Sequence, residues 1–432
     1  MALFAKRVGL IATENAFKIG PHIRALEAAG QRVIKCNLGE PDFPLPAVMK
    51  AEVKRQLDLD NTHYCDPQGI LPLREAVARH LSRTRGIAAT PDRVVVFPGA
   101  KPPIGFCQQT YCEAGDEVLY PSPGFPIYES FIPYVGATPV PLHLQEATGF
   151  SLTGAELAPL LGPRTKLIFL NFPSNPTGGV ATPAQLQELA EAIQARCGTE
   201  VRVYSDEVYE DILFDGHRHA SIAACPGMAP RTILVSGASK SFAWTGGRIG
   251  WALFPTAAEA AVFRTLNINY FSCVPAYHQE GARVGLEAPE AAQAVRAMVA
   301  AFQARRDLVV QGLNAIPGVR CQLPTGAFYV FPNIAGVCER LGILEAFSRL
   351  PAAAQAQTSP STLFQMFLLF AYQVATLDRR SFGSLGAEPY HYLRLSIATD
   401  EASLREGLAR FAAAAQDAAG FARFFQQGEH LW

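Results

Sequence analysis

The sequence predicts an α/β protein: a large unit with a mostly parallel, seven-stranded sheet covered by helices, plus a smaller α+β unit built from the N- and C-terminal segments. Three observations predict it. Short apolar runs recur at residues 94–97, 117–120, 138–142, 167–171, 201–205, 232–236 and 250–254, with helical stretches such as 183–197 between several of them. Strands that are apolar along their whole length are buried on both faces, as in a parallel sheet between helix layers. Glycine- and proline-rich loops follow several of these runs, at the strand ends where such sheets bind ligands. Finally, 432 residues with 49% hydrophobic content are enough for more than one packed unit.

Taken in order, residues 15–30 read as a helix, with Ile23, Leu26 and Ala29 at helical spacing and Gly30 as its stop. Residues 33–38 are a short strand running into the rigid turn Gly39-Glu40-Pro41-Asp42-Phe43-Pro44. Residues 47–57 are helical, 64–69 a loop, and 71–83 a helix with Pro72 in its first turn. The strand-rich region follows. Residues 256–309 form a long helical region broken near Ser272-Cys273-Val274-Pro275. Beyond Arg320 the pattern becomes α+β: a strand at 328–332, helices within 335–372, a strand at 392–397 and a helix at 401–419. Residues 352–362 look like a flexible insertion, and 424–432 either pack or fray. The expected division is 1–45 joining the small unit, 46–310 as the large unit and 311–432 as the small unit.

Composition excludes several classes of partner. A formal net charge of −1 implies neither nucleic acid nor an acidic membrane surface. Nine cysteines are scattered without a C-x-x-C pair or metal-ligand spacing, which suits reduced thiols in the cytoplasm and no metal site. Residues 1–10 lack the apolar core of a signal peptide, and the most apolar run, 363–374, holds Gln365 and Gln373 and is about half a membrane span. A cytoplasmic protein is expected.

Chemistry concentrates in four stretches. In Ser236-Gly237-Ala238-Ser239-Lys240-Ser241, one lysine stands among small residues, and Arg248 follows eight positions later between glycines. A lysine that attacks a carbonyl must shed its proton, and an arginine fork nearby suits a phosphate. This is a candidate Schiff-base lysine beside a phosphate-binding arginine. Asn175, in Asn171-Phe172-Pro173-Ser174-Asn175-Pro176-Thr177-Gly178, lies in a tight loop after one strand. Asp206 ends the next strand, with Tyr209 three residues on. Phe97-Pro98-Gly99-Ala100-Lys101 runs from strand to helix start, where backbone N–H groups collect anions.

In this order, the four stretches resemble the class I pyridoxal-phosphate aminotransferases, which share the aspartate aminotransferase fold. The resemblance extends from Gly39-Glu40-Pro41-Asp42-Phe43 to Tyr392-Leu393-Arg394-Leu395-Ser396. It implies that Lys240 holds the cofactor aldehyde and later serves as general base, while Asp206 keeps the pyridine nitrogen protonated. It further implies that Asn175 and Tyr209 bond the ring's oxygen, and that Ser239, Arg248 and the backbone at Gly99, Ala100 and Lys101 take the phosphate. Phe125 stands where relatives stack an aromatic on the ring. Arg394 and Gly39, with Asn175, would hold the substrate carboxylate. Tyr64 matches a tyrosine that crosses a two-fold interface to the neighbouring subunit's phosphate, so a homodimer follows from the resemblance.

The expected reaction is transamination between an L-amino acid and a 2-oxo acid, aspartate/glutamate-type or broad in specificity. Lys101 matches a lysine that meets a distal carboxylate in one branch of the family. Gly247 and Phe125 stand where relatives often have tryptophan, and Pro102-Pro103 is an unusual helix start. These departures leave aromatic or aliphatic substrates open, as they do a lyase or synthase of the same fold. A DNA-binding regulator would need a helix-turn-helix in the roughly thirty residues before the first strand, and none is there. A nicotinamide dehydrogenase would need G-x-G-x-x-G after its first strand, which is also missing.

Overall fold

The structure, a computed structural model, describes residues 3–11, 18–428 and 430–431. Its centre is a seven-stranded sheet made of β2 (Val94–Phe97), β3 (Glu117–Ser122), β4 (Thr138–His143), β5 (Thr165–Asn171), β6 (Arg202–Asp206), β7 (Thr232–Gly237) and β8 (Gly250–Leu253). The strand order is β2-β8-β7-β6-β5-β3-β4. Only β8 runs against its neighbours; the other pairings are parallel.

Alternation along the strands shows why every position is apolar. Leu167 and Phe169 of β5 face one hydrophobic core with Tyr204, Ile233 and Val235, while Ile168 and Leu170 face another with Leu119 and Val203. Successive side chains point to opposite faces, so a sheet packed on both sides needs apolar residues at odd and even positions alike. One covering helix begins where a hydroxyl side chain caps it. Thr182 and Gln185 form a reciprocal capping box ahead of the helix Pro183–Arg196.

The chain ends form two small sheets. β1 (Ile34–Lys35) pairs parallel with β10 (Val374–Ala375), joining the N-terminal segment to the C-terminal part. β11 (Leu377–Asp378), β12 (Leu393–Ser396) and β9 (Tyr329–Val330) form an antiparallel sheet in the order β11-β12-β9.

Several elements differ from expectation. The strand expected at 33–38 is only two residues long, because from Asn37 the backbone turns away and its carbonyl accepts from Arg394 instead of a strand neighbour. The region 256–309 is broken twice, giving helices Ala257–Phe271, Ala276–Glu287 and Pro289–Asn314. The second break follows from Pro289, which disfavours helical backbone at Ala288. Helix 401–419 is two helices, Glu401–Ala414 and Ala418–Gln427, the second capped by Asp417 on the amide of Gly420. The stretch 352–362 contains a short helix, Ala352–Gln355, and the carbonyls of Ala356 and Thr358 accept from Arg380 at 2.9 and 2.8 Å, so it is tied down rather than loose. Residues 15–17 of the expected first helix lie outside the described residues, as do Glu429 and Trp432 of the tail; Phe424 and Leu431 are buried. Among the described residues no helix is long and apolar enough to cross a membrane.

Candidate active site

The carboxyl edge of the sheet carries the chemistry. β2, β3, β5, β6 and β7 all point that way and deliver Lys101, Phe125, Asn175, Asp206 and Lys240 from the segments that follow or end them. Because β8 runs in the opposite sense, Arg248 reaches the same edge just before that strand begins. A cavity of about 410 Å³ opens there. Gly39, Ala100, Lys101, Phe125, Asn175, Asp206, Tyr209, Ser239, Lys240, Arg248 and Arg394 all line it.

Two expected site residues do not. Gly99 sits behind Arg248: it has φ of 95°, and a Cβ there would lie 2.2 Å from the guanidinium, so only glycine allows the arginine to pack so close. Tyr64 is 88% exposed and is not part of this cavity's lining.

Asp206 is a buried carboxylate. Burial pushes its pKa up to about 6, against the opposing effect of a 2.6 Å hydrogen bond donated by the Tyr128 hydroxyl. Asn171, at the end of the neighbouring strand, donates to the Asp206 carbonyl at 3.1 Å and accepts from the Asn175 amide at 3.0 Å. One side chain therefore sets the spacing of two site residues.

Lys240 donates to the Gly39 carbonyl at 2.6 Å, which brings the N-terminal turn to the lysine. Arg248 adopts a left-handed backbone conformation with φ of 50°, uncommon outside glycine, and its guanidinium donates to the carbonyls of Thr245 at 2.7 Å and Pro98 at 3.2 Å. The Lys101 ammonium lies 5.3 Å from the centre of the Phe125 ring.

Arg394 is held from every side. It donates to Asn175 Oδ1 at 3.1 Å and to the Asn37 carbonyl, while the rings of Tyr329 and Phe382 flank its guanidinium at 4.5 and 4.9 Å. Tyr329 in turn shares a 2.8 Å hydrogen bond with the Tyr209 hydroxyl, and burial keeps Tyr209 protonated far above neutral pH.

Sequence reasoning missed Tyr128, Asn171, Tyr329, Phe382 and a charged cluster behind the site. There Arg85 is clamped between Glu207 and Glu210, with His219 2.9 Å from Glu207 and His80 3.2 Å from Glu210. The signal was present: in Asp206-Glu207-Val208-Tyr209-Glu210, two acidic residues interleave with the two site residues at the same spacing of three.

The donor set suits an aromatic cation carrying a phosphate and an aldehyde. A buried carboxylate matches a protonated ring nitrogen, the Ser239 hydroxyl and Arg248 match a phosphate, and an amine meets a carbonyl. Comparison with known proteins points the same way. The family described as aminotransferase class I and II matches residues 31–411. An aspartate aminotransferase of Rhizobium meliloti is 33% identical over 95% of this chain and 95% of its own length. An aspartate/prephenate aminotransferase of Cereibacter sphaeroides is 34% identical over 96% and 98%. The crystal structure of a Rhizobium meliloti aspartate aminotransferase superposes with a TM-score of 0.85 at 32% identity, covering 96% of this chain and 99% of that one.

Proposed function

The chain belongs to the class I and II aminotransferases, and from that premise we propose a role for each side chain of the cavity. The protein is a pyridoxal-phosphate-dependent enzyme that moves an amino group from an amino acid to a 2-oxo acid. One observation carries the assignment of roles: Lys240, Asp206 and Arg394, far apart in sequence, line a single cavity.

Bound pyridoxal phosphate supplies an aldehyde that condenses with amines and a ring that draws electron density from the substrate's α-carbon. Lys240 would be the amine that holds the cofactor's aldehyde. Lys240 would also serve as the base that takes the proton from the substrate's α-carbon and hands it on. Asp206 holds the ring nitrogen in its protonated form, and Tyr128 holds Asp206. Tyr209 and Asn175 bond the ring's phenolic oxygen. Ser239, Arg248 and the backbone from Gly99 to Lys101 take the phosphate, and Phe125 stacks on the ring. Arg394 receives the α-carboxylate in a bidentate fork, assisted by Asn175 and the backbone of Gly39.

Lys101, which lines the cavity, favours substrates with a distal carboxylate, while Phe125 and Phe382 add apolar surface to the lining. An aspartate/glutamate-type enzyme of broad range fits this mixture. The chain would divide into units at 1–45, 46–310 and 311–432, with the helix Pro289–Asn314 spanning the second junction. It would act in the cytoplasm as a homodimer, with Tyr64 reaching the phosphate site of a second copy.

A panel of amino donors against 2-oxoglutarate, pyruvate and oxaloacetate tests the reading. Transfer to 2-oxoglutarate or oxaloacetate from both acidic and apolar donors is expected. Release of pyruvate and ammonia from one amino acid alone would overturn it.

A further inference from the structure

Arg379 follows β11 and is only 2% exposed. Among the described residues it forms no ion pair. Its acceptors are neutral: Ser122 Oγ at 2.9 Å, the Gly383 carbonyl at 2.9 Å and the Phe382 carbonyl at 3.4 Å. Burial draws its pKa down to about 10, partly offset by Asp378 and Glu129 nearby, so it remains charged at neutral pH. A buried cation without a carboxylate partner is costly unless its hydrogen bonds organise something.

Those bonds join two walls of the cavity. Ser122 ends β3, two residues before Gly124, and Phe125 follows. The Gly124 amide donates to the Phe382 carbonyl at 2.9 Å, the same carbonyl that Arg379 approaches. At Gly383, φ is 109° and a Cβ would lie 2.9 Å from Ser122 Oγ, so the two segments touch closely enough to require glycine. One residue further, Ser384 donates to Glu129 through its amide at 2.9 Å and its hydroxyl at 2.7 Å. The anchored segment carries Phe382, whose ring covers the Arg394 guanidinium.

We propose that Arg379 is a positioning residue for carboxylate recognition: by pinning 379–384 to the end of β3, it holds Phe382 over Arg394 and fixes the separation between that fork and the Phe125 wall. This rests on Arg394 being the carboxylate fork. Arg379 touches no substrate, so its loss should weaken carboxylate binding more than it slows the proton transfer at Lys240.

The test uses the holoenzyme with Arg379→Met, Arg379→Lys, Ser122→Ala and, as a control, Arg394→Ala. Binding of maleate, a dicarboxylate without an amino group, is measured by calorimetry alongside KM and kcat for an amino donor. Arg379→Met should weaken maleate binding and raise KM about tenfold, with kcat changed less than about threefold and the cofactor's visible absorbance intact. Arg379→Lys should recover part of the loss, and Ser122→Ala should shift both quantities about threefold in the same direction. If Arg379→Met does not fold, Ser122→Ala decides. Unchanged maleate affinity in Arg379→Met or Ser122→Ala, or a loss confined to kcat, overturns the proposal. If Arg394→Ala loses maleate while the other variants keep it, only the Arg379 proposal falls. If Arg394→Ala keeps maleate, the fork itself is misassigned, and this proposal falls with it.

Discussion

Asp206 is only 5% exposed at the cavity's wall, and its ionisation follows from a contest between two effects. Burial favours the neutral acid, whereas the Tyr128 hydroxyl and the Val208 amide favour the carboxylate, leaving the pKa at about 6. For an acid the shift is upward, so the cofactor-free protein holds a proton here through the window from about 4 to 6, and the charged form dominates only above it. A protonated ring nitrogen needs the charged form. Cofactor affinity of the cofactor-free protein should therefore fall as pH drops through about 6, and Tyr128→Phe should move that midpoint upward. Fluorescence titrations across pH check this; an unchanged midpoint in Tyr128→Phe would count against the hydrogen bond's role. Lys240→Ala should abolish turnover and the visible absorbance of the bound cofactor, and a retained band would mean that another amine holds it. Asp206 and Lys240 were legible because their neighbours fix their context along the chain. Tyr128 was not, since its hydroxyl meets Asp206 across 78 positions of sequence.

At the scale of elements, the segment from β6 through Glu210 has two faces. Asp206 and Tyr209 line the cavity, while Glu207 and Glu210 turn back to Arg85 at the end of the helix Leu71–Arg85. Burial raises the Glu207 pKa, but Arg85 and His219 outweigh it and hold the carboxyl at about 2. A lowered acid stabilises the fold above its unfolded value and loses that contribution as pH falls through about 4 toward 2. Arg85→Met removes the cation shared by two buried carboxylates, leaving them only histidine and hydroxyl partners, and should cost about 3–5 kcal/mol in urea unfolding near neutral pH. The same variant should flatten the loss of stability below about pH 4, because the carboxylates no longer gain from being charged. A cost below about 1 kcal/mol would show that Glu207 and Glu210 find other partners. The elements themselves were readable wherever burial alone dictated composition, as in β2, β5 and β7. Their ends were less so. Past Lys35 the carbonyls of Cys36 and Asn37 turn to β12, accepting from the Ser396 amide and the Arg394 side chain, a competition between residues far apart in sequence.

The whole molecule brings its two chain ends together through β1 and β10, and so places Gly39 and Arg394 opposite the large sheet's carboxyl edge. The fold class and that convergence were legible in the order of motifs; the role proposed for Tyr64 would need a second copy of the chain. Leu59, Leu71, Ile268 and Tyr270 are exposed as well. The loop and the helix Ala257–Phe271 are joined there by Asn267, which donates to the Pro67 carbonyl at 3.1 Å, and by Arg264 and Asp66 at 3.5 Å. Exposed apolar side chains of this size suit burial against a second copy. If Tyr64 then completes the neighbour's phosphate site, Tyr64→Ala should weaken cofactor binding in the homodimer, and Lys240→Ala should be inactive. A hybrid of the two variants gives a sharper result. In it, the site with an intact Lys240 receives an intact Tyr64 from the other chain, while the second site lacks both. Unfolding and refolding the two variants together should therefore restore normal cofactor affinity at about one site in each hybrid dimer. If Tyr64 serves only its own chain, the hybrid has no complete site, and mixing restores nothing.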